Sequence, residues 1–108
     1  MKAVIEKHQL SSLFKALGES HRLAILDHLC QCAVRGTHQL SVSEIGSCCD
    51  LDLSVVSRHL CQLKVAGVLQ AKKEGKEVRY SVNASVLAKA LRNLADTVQR
   101  CCQKKGVL

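Results

Sequence analysis

The sequence predicts a mostly α-helical single domain over residues 1–108 with one two-stranded β-hairpin, an α+β fold, and three observations carry this. Apolar residues recur at i, i+3, i+4, i+7 through most of the chain. Two short helical segments are joined by only three residues, Asp50-Leu51-Asp52. Residues 68–82 instead read as two strands around Glu74-Gly75-Lys76, a hairpin tip of glycine and charge. No proline, repeat or low-complexity run divides the chain. With one Phe, one Tyr and no Trp the core is modest, so burial against a second copy is expected to supplement it.

Each element follows in order. Leu10, Leu13, Phe14 and Leu17 give the first helix one apolar face, and Gly18 stops it. A second helix is expected over residues 20–32, with Leu23, Leu26 and Cys30 on one stripe and Ile25, Leu29 and Cys32 beside it. Residues 34–39, with Gly36, read as a loop. Ser41-Val42-Ser43-Glu44 fits a capping box, in which serine and glutamate satisfy each other's orphan amides, so a short helix starts at Val42 and ends near Cys49. Asp52 then caps a helix reaching about Ala66, which completes a helix-turn-helix. After the hairpin, Asn83 is expected to cap a last helix whose Leu87, Leu91, Leu94 and Val98 repeat at 4, 3, 4 spacing.

Charge narrows the partner. Sixteen Lys and Arg against nine Asp and Glu give +7 per chain, which favours a polyanion such as nucleic acid over an acidic small substrate. Glu6, Lys7 and His8 stand where a signal peptide needs an apolar run, and no stretch of about 18 apolar residues occurs, so a cytoplasmic protein without a membrane partner is expected. Seven cysteines, an odd number, then read as reduced thiols, open to soft-ion binding or redox chemistry.

The segment Leu53-Ser-Val-Val-Ser-Arg-His-Leu-Cys-Gln-Leu-Lys-Val-Ala-Gly-Val-Leu69, followed by Lys72-Lys-Glu-Gly-Lys-Glu-Val-Arg-Tyr80, resembles the ArsR/SmtB family of winged helix-turn-helix repressors. Leu17-Gly-Glu-Ser-His-Arg-Leu-Ala-Ile-Leu26 is similar to that family's second-helix signature. The likeness covers nearly the whole chain. It implies a homodimer that binds operator double-stranded DNA without a cofactor and releases it when an ion or a thiol-reactive species binds.

Helical geometry agrees with that role. Val56, Leu60 and Leu63 share one side of the fourth helix, while Ser54, Arg58, Cys61 and Val65 lie opposite, with Ser57 and Gln62 on the flanks. Arg58 suits guanine or phosphate, and Gln62 suits adenine. The expected DNA-contacting set is Ser54, Ser57, Arg58, His59 and Gln62 on the helix, with Lys72, Lys73, Lys76 and Arg79 on the wing. For any single residue a solvated surface charge is the plainer reading; the ordered helix, turn and wing outweigh it.

The family's known sensing sites are missing. Ser41, Ser43 and Gly46 stand where the resemblance implies arsenite-binding cysteines, and Ala84, Val86, Thr97 and Arg100 where zinc sensors carry Asp, His and Glu. Cys48 and Cys49 are expected to pack as small core residues, and Cys61 to be tolerated on the DNA-facing side. That leaves Cys101 and Cys102, which are adjacent and flanked by Arg100, Lys104 and Lys105. They do not bridge each other, since neighbouring Cα atoms are about 3.8 Å apart and unstrained disulfides want roughly 4.4 to 6.8 Å. Two soft thiolates suit trivalent arsenic or antimony, and an organic trivalent arsenical needs only two. By resemblance, Cys30, or Cys32 in its place, supplies a third ligand. The expected inducer is therefore As(III), Sb(III) or an organic trivalent arsenical.

A persulfide- or redox-responsive repressor of the same family, using a second-helix and a last-helix cysteine, is the alternative. An enzyme is not expected. No Cys-x-x-Cys supports a thiol oxidoreductase, and the five histidines show no spacing that pairs one with a nucleophile. A DNA-packaging protein would share the charge without needing seven thiols.

Overall fold

The computed structural model describes residues 6–104. Five helices and three short strands run in the order α1 (Lys7–Leu17), α2 (Ser20–Val34), β1 (Leu40–Ser41), α3 (Val42–Cys49), α4 (Leu53–Val65), β2 (Leu69–Glu74), β3 (Glu77–Val82) and α5 (Ala84–Lys104). The strands form one antiparallel sheet in the order β1-β3-β2, with Leu40 opposite Tyr80 and Leu69 opposite Val82. The expected two-stranded wing is thus a three-stranded sheet. The sequence signal for β1 was too short to see, because two residues cannot display alternation.

The capping box forms as its spacing requires. The Ser41 hydroxyl accepts from the Glu44 amide at 3.3 Å, and the Glu44 carboxylate accepts from the Ser41 amide at 2.8 Å. Helix α3 therefore starts at Val42, directly after the strand that pins Ser41 to the sheet. Asp50 ends it in a left-handed conformation at φ 54°, and Asp52 enters α4 from extended backbone but makes no side-chain cap hydrogen bond. A Cβ on Gly46 would stand 2.8 Å from Leu53 Cδ2, so the tip of the Leu53 side chain lies in the space a side chain there would take.

The core lies where the helix-turn-helix meets α1, α2 and the sheet: Leu13, Ile25, Ile45, Val56, Leu60, Leu63 and Val68 are fully buried. The structure chooses between the two α2 stripes and shifts one position on α1. On α2 the buried stripe is Ile25 and Leu29, while Leu23 and Cys30 face solvent. On α1 it is Leu10, Leu13 and Ala16, and Phe14 is exposed. Helix α5 starts at the core with Leu87 and Ala90, and from Ala95 to Cys102 none of its residues is buried. Asn83 does not cap α5 with its side chain. Its amide donates to the Gly67 carbonyl at 3.2 Å and its oxygen accepts from Gln70 at 2.9 Å, so it ties the exit of α4 to the sheet.

Candidate functional site

Packing Val56, Leu60 and Leu63 inward turns Ser54, Ser57 and Arg58 outward, and all three are exposed. Arg58 takes part in no ion pair among the described residues, so its guanidinium is free to meet a base edge or phosphate. His59 and Gln62 are placed differently. Arg22, near the start of α2, donates from its guanidinium to the Gln62 side-chain oxygen and lies 3.4 Å from His59 Nδ1. A second Arg22 nitrogen donates to the Ala16 carbonyl at 2.6 Å. Arg22 thus takes one of the two lone pairs of the Gln62 oxygen and orients the amide, leaving its donors and the second lone pair for DNA.

Lys72, Lys73 and Lys76 are exposed around Gly75, whose φ of +62° serves the tight turn. Lys72 makes one loose ion pair, 3.8 Å from Glu74, with both partners open to water. Arg79 is engaged more fully. Three carboxylates surround it, Glu77 at 3.1 Å, Glu74 at 3.4 Å and Glu44 at 3.5 Å. Arg79, expected among the wing cations, thus straps the hairpin to α3, with its charge compensated within the fold. The Ser41 amide and then its hydroxyl hold the Glu44 carboxyl below its ordinary pKa, with Arg79 adding to the effect.

The seven thiols divide by environment. Cys48 is exposed and Cys49 half-buried, so only the second behaves as the expected packing residue. Burial, followed by the neighbouring Cys48, raises the Cys49 thiol. Cys61 is exposed and borders a groove of 380 Å³ between α1, α2 and α4, shared with Lys15, Arg22 and Val65. Cys32 Sγ lies 3.5 Å from His28 Nε2, one turn back on α2. Cys30 is exposed overall, yet atoms packed about its sulfur withdraw it partly from water, and that desolvation, then the Asp27 carboxylate, raises its pKa. Cys101 is exposed and Cys102 half-exposed on the last turns of α5. Lys105 lies outside the described residues, and the Lys104 side chain is not described.

Cys30, Cys101 and Cys102 do not come together within one chain. Among the described residues, the potential ligand groups that converge to within 4.8 Å of one another are Glu19, His21 and His59. Sequence reasoning missed this cluster, since His59 on α4 stands 38 and 40 residues from His21 and Glu19 at the start of α2, and the three follow no metal-ligand spacing. It missed the Arg22 and Glu44 ties for the same reason. Long-range side-chain pairs leave no periodic trace.

No family model matches the chain. A curated relative, the arsenical resistance operon repressor of Escherichia coli (strain K12), is 33% identical over 101 residues, which cover 86% of this chain and 74% of the relative. The chain belongs to the ArsR family. Solved structures agree. An ArsR-like transcriptional regulator from Rhodococcus sp. RHA1 superposes with a TM-score of 0.76 at 26% identity over 91% of this chain and 87% of that one. The homodimeric winged helix-turn-helix DNA-binding domain of a possible ArsR-family regulator from Mycobacterium bovis does so with a TM-score of 0.66 at 29% identity, covering 86% and 80%.

Within the ArsR family the outward face of α4 is the recognition helix and the β2–β3 hairpin the wing. The family is a class of DNA-binding regulators and not of enzymes, which closes the oxidoreductase and hydrolase alternatives. Among the described residues no helix is long and apolar enough to cross a membrane. At Gly46, where the family resemblance implies a metalloid-binding cysteine, the space a Cβ would take is filled by the tip of the Leu53 side chain.

Proposed function

We propose that the chain is a cytoplasmic, homodimeric repressor that releases its operator when a trivalent metalloid, As(III), Sb(III) or an organic trivalent arsenical, is bound by the thiolates of Cys101 and Cys102. The observation that carries this reading is the placement of two adjacent free thiols on the part of α5 where no residue is buried. The likeness to an arsenical resistance repressor points the same way. DNA is contacted by Ser54, Ser57 and Arg58, by the Gln62 amide and by Lys72, Lys73 and Lys76; His59 supports the helix from its α2 side. No cofactor is required for DNA binding.

Cys30, with Cys32 as its alternate, serves as the third ligand. Because these thiols do not meet Cys101 and Cys102 within one protomer, the third thiolate comes from the partner chain across the α1 and α5 seam. Trivalent arsenic and antimony favour soft sulfur donors, and a monosubstituted arsenical already holds one carbon and needs one thiolate fewer. Its response is therefore the less dependent on Cys30.

Titrating arsenite, antimonite and phenylarsine oxide against protein bound to labelled operator tests the reading. Wild-type protein should release DNA with each. The double variant Cys101→Ser, Cys102→Ser should bind DNA normally and respond to none. Cys30→Ser should blunt the inorganic ions more than phenylarsine oxide. Release that survives loss of both terminal thiols would sink the proposal, as would release by persulfide or peroxide alone with a disulfide from Cys30 or Cys32 to the terminal pair in the mass spectrum.

A further inference from the structure

Away from the terminal thiols, one cluster joins the start of α2 to the recognition helix. Glu19 precedes α2, and its two oxygens are used separately. Oε1 accepts from the Arg22 amide at 2.9 Å, and Oε2 lies 3.0 Å from His21 Nδ1. The His21 ring stacks on His59 of α4, with centroids 5.9 Å apart and planes inclined by 24°. One ligand atom from each of the three residues falls within 4.8 Å of the others.

We propose that Glu19, His21 and His59 form a binding site for one divalent transition-metal ion of the zinc class, clasping the recognition helix to the start of α2. Zinc bonds to imidazole nitrogen and carboxylate oxygen of about 2.0 to 2.2 Å put neighbouring donors of a tetrahedral site about 3.4 Å apart. The Glu19 and His21 donors already stand near that spacing. Closing the remainder needs a small rotation of His21, whose side chain is 55% exposed and free to make it.

The donor set selects the ion. Two imidazoles and one carboxylate suit Zn²⁺, Co²⁺ and Ni²⁺, whereas Ca²⁺ and Mg²⁺ want oxygen and trivalent metalloids want sulfur. The Arg22 amide on Oε1 fixes the carboxylate so that Oε2 faces the ion, an outer-shell role. Two features oppose binding: the positive end of α2 and the Arg22 guanidinium near His59. That guanidinium is held away from the Glu19 and His21 donors by the Ala16 carbonyl and the Gln62 side chain. With three protein ligands the fourth position belongs to water, and the exposed His21 leaves the ion a path from solvent. The site uses none of the seven thiols, so it stands or falls separately from the inducer reading.

The test is a Co²⁺ titration of the reduced, full-length, histidine-labelled protein followed by NMR, with metal affinity measured in parallel. Paramagnetic broadening should strike the His21 and His59 rings and spare His8 and His38. His21→Ala, a change at an exposed position, and Glu19→Gln, which keeps the amide acceptor at the helix start, should each weaken this class of binding at least tenfold and leave the helical content unchanged. The double variant Cys101→Ser, Cys102→Ser should bind Co²⁺ at this site as wild type does. The proposal is overturned if His21 and His59 stay sharp at saturating Co²⁺, if broadening is confined to His28 beside Cys32, or if both variants keep wild-type affinity.

Discussion

Arg58 shows what a single position in this chain can decide. Its neighbours Val56 and Leu60 are fully buried, which commits the helix to one rotation and leaves the guanidinium outside with no carboxylate to compensate it among the described residues. Arg79 carries the same charge but is surrounded by Glu44, Glu74 and Glu77. The two arginines should therefore behave differently. Arg58→Ala should cost about 1 to 3 kcal/mol of operator affinity in a fluorescence-anisotropy titration while leaving the fold intact. Unchanged affinity would remove Arg58 from the reading face. The outward direction of Arg58 was legible from 100° periodicity alone. The compensation of Arg79 was not, because it depends on α3 and the hairpin meeting, and Glu44 is 35 residues away in sequence.

Among elements, α3 and the wing respond to different variables. The start of α3 rests on the reciprocal Ser41 and Glu44 bonds, so Ser41→Ala should lower stability to denaturant by about 1 kcal/mol. The Glu44 carboxyl is held below its ordinary value in the folded chain, so its contribution is complete above the unfolded value and is lost as pH falls through the folded one. Glu44→Gln should accordingly lower stability near neutrality and flatten the acid limb of the stability profile; an unaltered limb would mean that the box forms without consequence. The wing answers to salt instead. Neutralising Lys72, Lys73 and Lys76 should lower affinity for specific and random DNA alike and reduce the log-log salt slope by roughly 0.9 per lost phosphate contact. A slope that does not move would point the hairpin away from the duplex. The sequence foretold both elements well, since Ser-Val-Ser-Glu and Glu-Gly-Lys are local signals. It left the buried stripe of α2 open between two candidates and put Phe14 on the inner face of α1, because each helix has more apolar positions than one face can bury. Only the position of the helix-turn-helix chooses Ala16 over Phe14 and Ile25 over Leu23.

At the scale of the molecule, the apolar surface does not close. Phe14 on α1 and Leu91 and Val98 on α5 are 48%, 39% and 56% exposed, on the same two helices that lend Leu10, Leu13, Leu87 and Ala90 to the core. Leu91 and Val98 are seven residues apart, two turns, so they repeat on one side of α5. A 21-residue helix with its outer half uncovered has little to hold that half in place within one chain of 108 residues. A homodimer built on α1 and α5 would remove the defect and would carry the two recognition helices as a pair, so that each adds its contacts to one operator. The expected species in sedimentation equilibrium is twice the chain mass of 11.8 kDa. Leu91→Glu with Val98→Glu places like charges against their symmetry mates or against apolar surface, and should shift the protein to monomer without unfolding the core, which those residues do not enter. DNA affinity should fall far more than Arg58→Ala alone makes it fall, because each monomer loses the contacts of the other half. A double-glutamate variant that sediments as a dimer and binds operator normally would place the interface elsewhere and leave the exposed face of α5 without a role in assembly.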